Sequence, residues 1–276
     1  MATLFFEPST RTRLSFTAAA LRLGAQVIGF DDAKTTSTAK GETLEDTIRI
    51  VHGYADAIVM RHNELGAAKR AANVSRVPII NAGDGSGEHP TQALLDIFTI
   101  YKERSNLKSQ TSKSQSKIQN IENLSVGFVG DLKYGRTVHS LAQGLAHFHP
   151  CLYFISPPSL KMPREIIEKL RESTVEFHEL TAWNSIAKQI DVLYMTRVQK
   201  ERFTTMREYN QVKNCYILNK KTASLFKKDC LFMHPLPRVG EIDPALDDDP
   251  RAIYFKEAHN GLWMRMAILL RLLDAK

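Results

Sequence analysis

An α/β chain of two doubly wound domains, each a parallel sheet covered by helices, is the fold this sequence predicts. Three observations predict it. Short apolar runs alternate with helix-length amphipathic stretches, the grammar of parallel strands joined by crossover helices. A polar, low-complexity stretch divides two halves of similar grammar, as surface loops and linkers do. Six polar clusters follow apolar runs, where a parallel sheet places its ligands beyond the carboxyl ends of its strands.

The elements follow in order. Leu4-Phe5-Phe6 form an apolar run that Pro8 ends, and Ser9 to Leu23 predict a helix. Ala25 to Phe30, Ala57 to Met60 and Val77 to Asn81 read as buried strands. Thr43 to Tyr54 and Pro90 to Tyr101 read as helices, with Pro90 suited to the first helical position. In the second half, LSVGFVGD, CLYFIS, TVEFHE, VLYMTR and CLFMHP read as strands, and helices start near Arg136 and Pro163. Leu262, Met266, Leu269, Leu270 and Leu273 fall on one stripe of a last helix, which must therefore dock on something. Residues 1–104 form the first domain, 105–122 a polar linker or insertion, 123–258 the second domain and 259–276 the last helix.

Bulk properties exclude several classes. The 276 residues are 43% hydrophobic, enough for a substantial core. No apolar run approaches the roughly 18 residues of a membrane span, and no basic segment followed by an apolar core marks the N-terminus as secretory. Cys151, Cys215 and Cys230 are sparse and form no CxxC pair, which points to a reducing compartment and to cytoplasm. Of the +7 formal charge, the stretch Lys102 to Asn120 supplies +4. It lacks interleaved aromatics, so a solvated segment is favoured over a nucleic-acid arm.

The clusters carry the chemistry. Ser9-Thr10-Arg11-Thr12-Arg13 opens a helix whose first N–H groups lack intrahelical partners and whose dipole is positive. It reads as a phosphate site or as an ordinary capped helix with surface arginines. No glycine-rich loop leads to GK[ST], so it is not a Walker A loop. Arg61 ends a strand; it either reaches the same site or lies on the surface. His89 precedes a helix, where a neutral imidazole can donate to a carbonyl oxygen or simply cap, and Gln92 adds an amide one turn on. Gly127, Gly130 and Gly135 do not space as G-x-G-x-x-G, against a nicotinamide site. Arg136 and Arg197 offer two guanidinium forks, matching a substrate with two carboxylates. Pro235 and Pro237 flank Leu236, and their rigidity presents a backbone carbonyl that could accept from an NH₂ group. Without a nucleophile–base signature, chemistry must come from positioning and electrostatics.

Taken together, FFEPSTRTRLSF, KGETLEDT, VMRH, HPTQALLDIFTI, GDLKYGRTVHSL, YMTRVQKERF, HPLPRVGEI and NGLWMRMAILL resemble the catalytic chains of the aspartate carbamoyltransferase family. The resemblance is ordered and spans nearly the whole chain. STRTR and HPTQ are shared with the ornithine branch of that superfamily. YMTRVQKERF and HPLPR narrow the resemblance, since ornithine enzymes carry a cysteine where Pro235 stands.

The resemblance implies transfer of the carbamoyl group of carbamoyl phosphate to the α-amino group of L-aspartate, in pyrimidine synthesis, with no cofactor or metal. By motif position it implies that Ser9, Thr10, Arg11, Thr12, Arg61, His89, Gln92, Leu236 and Pro237 bind carbamoyl phosphate. Thr12, Arg61 and His89 would polarise the carbamoyl oxygen, while Gln92 and the Leu236 carbonyl hold the NH₂. Arg136, Arg197 and Gln199 would bind aspartate. Glu7 would pair with Arg136 and Arg202 on domain closure. Ser37 and Lys40 would reach a neighbouring subunit's site in a homotrimer with shared sites; a regulatory chain is left open, and no nucleic acid or membrane is implied. The last helix would return to the first domain.

Two departures from the family shape the expectations. Its chains begin well before this motif, so the first domain is expected to lack the family's N-terminal helix, lowering stability but not altering chemistry. The 105–122 segment is expected to be an insertion, which costs little. Two other readings compete: an ornithine-type or other carbamoyltransferase, against which the arginine forks weigh, and a silent subunit, against which the intact site residues weigh.

Overall fold

The computed structural model describes residues 1–85, 87–109 and 121–274. Most of the expected insertion, residues 110–120, lies outside the described residues. The chain divides into two compact units, Met1–Leu94 with His259–Lys276, and Leu95–Ala258. The division after Leu94 falls inside a helix.

The first unit holds β1 (Ala2–Phe5), α1 (Thr10–Arg22), β2 (Ile28–Phe30), α2 (Leu44–Val51), β3 (Ile58–His62), α3 (Ala67–Val74), β4 (Ile79–Asp84) and the start of α4 (Pro90–Ser109). Its parallel sheet has the order β2-β1-β3-β4, with Ala2 opposite Ile58 and Phe5 opposite Arg61. Period-two alternation sends side chains to opposite faces. Ala2, Leu4, Ile58 and Met60 pack with Leu44 and Ile48 of α2 and Ala67 and Ala71 of α3. Phe5 and Val59 pack with Phe16, Ala19 and Ala20 of α1 on the other face.

The second unit holds β5 (Ser125–Val129), α5 (Arg136–Leu145), β6 (Cys151–Ile155), α6 (Arg164–Glu172), β7 (Glu176–Leu180), β8 (Val192–Met195), α7 (Met206–Val212), α8 (Lys220–Ala223), β9 (Leu231–Met233) and the start of α9 (Tyr254–Leu273). Five parallel strands run in the order β7-β6-β5-β8-β9. Every residue of β8 is buried, as expected of a central strand covered on both sides. Val126, Phe128 and Tyr194 serve one core, and Val129, Leu193 and Met195 the other.

Three expectations are corrected. The stretch Ala25 to Phe30 does not form a buried strand: β2 has three residues and pairs only with β1, so Ile28 remains 48% exposed. The last helix does return to the first unit, but its stripe is turned. Leu269 is buried against Phe5 and Phe16, with Leu262, Met266, Ile268 and Leu272 packed around it, whereas Leu270 is exposed. Helix α4 runs to Ser109, beyond the predicted Tyr101.

Candidate active site

Each sheet has a switch point, where the chain passes from one side of the first strand to the other. In the first unit it falls between β1 and β3, and in the second between β5 and β8. Loops leaving the carboxyl ends of such strand pairs bind ligands. Ser9 to Thr12 follow β1 and Arg61 lies at the carboxyl end of β3, and Arg136, Arg197 and Gln199 follow β5 and β8; His89 and Gln92 follow β4, Leu236 and Pro237 follow β9, and Ser37 and Lys40 follow β2.

In the first unit, β1 leads to Ser9, which precedes α1 without capping it by its side chain. No acidic residue occupies the first turn, so nothing there opposes an anion at the positive end of the helix. Thr12 is buried, while Thr10 and Arg11 are exposed. The carboxyl end of β3 supplies Arg61, whose Nε lies 3.2 Å from Glu7 Oε2 and whose Nη1 donates to the Ala82 carbonyl at 3.4 Å. Glu7 thus meets a guanidinium, that of Arg61, inside this unit. Beyond β4, His89 and Gln92 are both buried at the start of α4, with His89 Nδ1 3.5 Å from Thr91 Oγ1. Ser37 and Lys40 are exposed on a short turn, Ser37–Lys40, opened by the Thr36 hydroxyl.

In the second unit, β5 leads to Arg136, the first residue of α5, and β8 leads to Arg197. Arg197 holds the Glu201 carboxylate with both terminal nitrogens, Nη1 at 3.1 Å from Oε2 and Nη2 on Oε1. That pairing raises the Arg197 pKa and lowers that of Glu201. Gln199 is half-buried, Arg202 exposed. Leu236 and Pro237 follow β9, and Leu236 sits at φ +55°, the left-handed region.

One organiser escaped the sequence reading. Asp131 is fully buried between the β5 and β8 loops. Its backbone N–H donates to Thr196 Oγ1 at 3.0 Å, and its carboxylate accepts from the backbone N–H groups of Tyr134 at 3.0 Å and Gln199 at 3.3 Å. It therefore ties the segment before Arg136 to the segment bearing Arg197 and Gln199. Burial raises its pKa despite these bonds. The close approach depends on Gly130, since a Cβ there would meet the Thr196 carbonyl oxygen at 2.4 Å. The only sequence signal was the Gly130-Asp131 pair at a strand end.

Among the described residues one trio could hold a metal: Cys151, Glu176 and His178, with donor atoms within 4.8 Å of one another. It lies on β6 and β7, with Cys151 and Glu176 at their amino ends, away from these loops. His178 Nε2 and Glu176 Oε1 already pair at 3.1 Å on the surface.

Comparison with known proteins gives consistent results. Residues 1–102 match the family model for the carbamoyl-P binding domain of aspartate/ornithine carbamoyltransferases. Residues 122–272 match that for the Asp/Orn binding domain. The aspartate carbamoyltransferase catalytic subunit of Bacteroides fragilis is 53% identical over 270 residues, covering 98% of this chain and 83% of the relative. The catalytic subunit of M. jannaschii aspartate transcarbamoylase superposes with a TM-score of 0.87 at 49% identity, over 100% of this chain and 85% of that one. Aspartate transcarbamoylase from Trypanosoma cruzi, solved with carbamoyl phosphate and aspartate, superposes with a TM-score of 0.85 at 39% identity, over 99% and 83%.

Proposed function

The chain belongs to the aspartate/ornithine carbamoyltransferase family, and from that premise we propose how its residues act. It transfers the carbamoyl group of carbamoyl phosphate to the α-amino group of L-aspartate, giving N-carbamoyl-L-aspartate and phosphate. The observation that carries the aspartate assignment is the Arg197 fork, which already grips a carboxylate with two nitrogens. A cationic side chain such as that of ornithine finds no complement in it.

Ser9, Thr10, Arg11 and Thr12 hold the phosphate at the start of α1, where open N–H groups and the helix dipole favour an anion. Arg61 adds charge from the end of β3. As the amine attacks the carbonyl carbon, negative charge gathers on the carbamoyl oxygen. Thr12, Arg61 and His89 stabilise it, and their burial makes each hydrogen bond worth more than in water. Gln92 and the Leu236 carbonyl hold the NH₂ group, with Pro237 beside them. Arg136, Arg197 and Gln199 fix the carboxylates of aspartate and so aim its amine. The C–N bond forms, the bond from the carbonyl carbon to the phosphate oxygen breaks, and phosphate leaves with that electron pair and takes up the proton the amine gives up. The reaction calls for no cofactor or metal, since phosphate is a competent leaving group once the reactants are aligned.

Glu7 changes partner in this scheme. It leaves Arg61 and pairs with Arg136 and Arg202 on substrate binding. Ser37 and Lys40 serve a neighbouring subunit of a homotrimer, a role their exposure supports. Residues 1–104 and 123–258 act as the carbamoyl-phosphate and aspartate domains. The setting is pyrimidine synthesis in the cytoplasm. Among the described residues no helix is long and apolar enough to cross a membrane.

The test is an assay of carbamoyl transfer with purified protein. N-carbamoyl-L-aspartate should form from aspartate, with no turnover of ornithine. The reverse preference would sink the assignment.

A further inference from the structure

His234 follows β9 and is almost wholly buried among hydrogen-bonding partners. Its backbone N–H donates to Glu257 Oε2 at 2.9 Å. Its ring Nε2 lies 2.7 Å from Glu241 Oε1, and its ring Nδ1 lies 2.8 Å from the backbone nitrogen of Leu236. A backbone N–H can only donate, so Nδ1 must offer its lone pair. The ring proton then sits on Nε2 and goes to Glu241. The imidazole is neutral, in one tautomer, with its acceptor nitrogen spent on the backbone.

Glu241 secures the other end of the same turn. Its Oε2 accepts from the backbone N–H groups of Val239 at 3.2 Å and Gly240 at 3.0 Å. Burial works to raise its pKa, but the His234 hydrogen bond and the local N–H groups prevail and lower it to about 2. One buried histidine–carboxylate pair therefore staples the turn from Leu236 to Gly240. The acceptor bond falls on Leu236 itself, a leucine in the left-handed region that its side chain disfavours.

We propose that His234 is a positioning residue for carbamoyl-phosphate recognition, fixing through Nδ1 the backbone of Leu236 so that its carbonyl accepts from the carbamoyl NH₂ group. This rests on the role given above to Leu236. His234 touches neither substrate, and its effect passes entirely through the backbone.

The test compares His234→Ala, His234→Asn and Glu241→Gln. The His234→Asn change would place an amide oxygen near the Nδ1 position, able to accept from Leu236 N–H. Thermal unfolding monitors the fold, and steady-state kinetics gives KM for each substrate. His234→Ala should raise the carbamoyl-phosphate KM about tenfold, the loss of one hydrogen bond, and His234→Asn should recover most of it. Glu241→Gln, which keeps the shape but loosens the ring, should raise the same KM severalfold and stands in if His234→Ala does not fold. A merely structural role would lower the melting temperature in the histidine variants without moving that KM. A carbamoyl-phosphate KM unchanged in His234→Ala or, where that variant does not fold, in Glu241→Gln overturns the proposal. So does a His234→Asn variant no better than His234→Ala. A wild-type chain that makes no carbamoyl aspartate would instead overturn the reading beneath it.

Discussion

Single side chains carry the recognition proposed for this chain. Arg197 presents two nitrogens to one carboxylate, a geometry that lysine cannot copy. Arg197→Lys should raise the aspartate KM about 10- to 100-fold, the loss of one charge-assisted hydrogen bond of roughly 1.5–3 kcal/mol, and leave the carbamoyl-phosphate KM near wild type. Steady-state titration of each substrate checks this. Glu241 carries a pH signature. Its folded pKa of about 2 lies below the ordinary 4.5. A depressed carboxylate stabilises the fold above its unfolded pKa, and that contribution disappears as pH falls from about 4.5 towards 2. Melting temperature against pH should fall less steeply in that window for Glu241→Gln than for wild type. The neighbouring Glu257 behaves oppositely: burial, then the charge of Asp96, raises its pKa well above the carboxylate range.

At the scale of elements, α1 is held by the face it buries rather than by a capped start. Helix α1 has no side-chain cap, yet it is anchored by Phe16, Ala19 and Ala20 on the first sheet. Its uncapped start stays available to an anion because packing, not capping, secures it. Helix α9 joins the same layer through Leu269, and Arg265 stacks over Phe16 at 5.1 Å. Leu269→Ala should cost about 2–5 kcal/mol through lost contacts and a cavity. A lowered melting temperature with an unchanged aspartate KM in the folded enzyme is the expected result. A wild-type melting temperature would show that the helix docks elsewhere.

At the scale of the molecule, two sheets each offer a switch point, and the residues proposed for the two substrates divide between them. Hydroxyls and Arg11 follow β1 in one unit; Arg136 and Arg197 follow β5 and β8 in the other. If sites are shared between subunits, two inactive variants should rescue each other. Arg11→Ala is defective in its own site, and Lys40→Ala in what it lends a neighbour. Dissociating and reassociating a mixture should regenerate activity, because some sites then draw both residues from intact copies. An inactive mixture would argue against sharing.

The sequence by itself determined the alternation of strands and helices, the strand-end clusters and the branch of the family. These are local patterns: a buried strand is a short apolar run, and the STRTR turn is five consecutive residues. Pairing across distance was not legible. Asp131 meets Gln199, Tyr194 donates to Asp96 at 2.8 Å, and His234 meets Glu257 and Glu241. The exposed edge position of β2 and the turned face of α9 were hidden for the same reason. Periodicity marks which residues are apolar, but only strand order and helix docking decide which are covered. Tertiary structure also decided that His234, read as one letter of HPLPR, holds the backbone of Leu236, because a hydrogen bond is settled by where the chain places its two atoms.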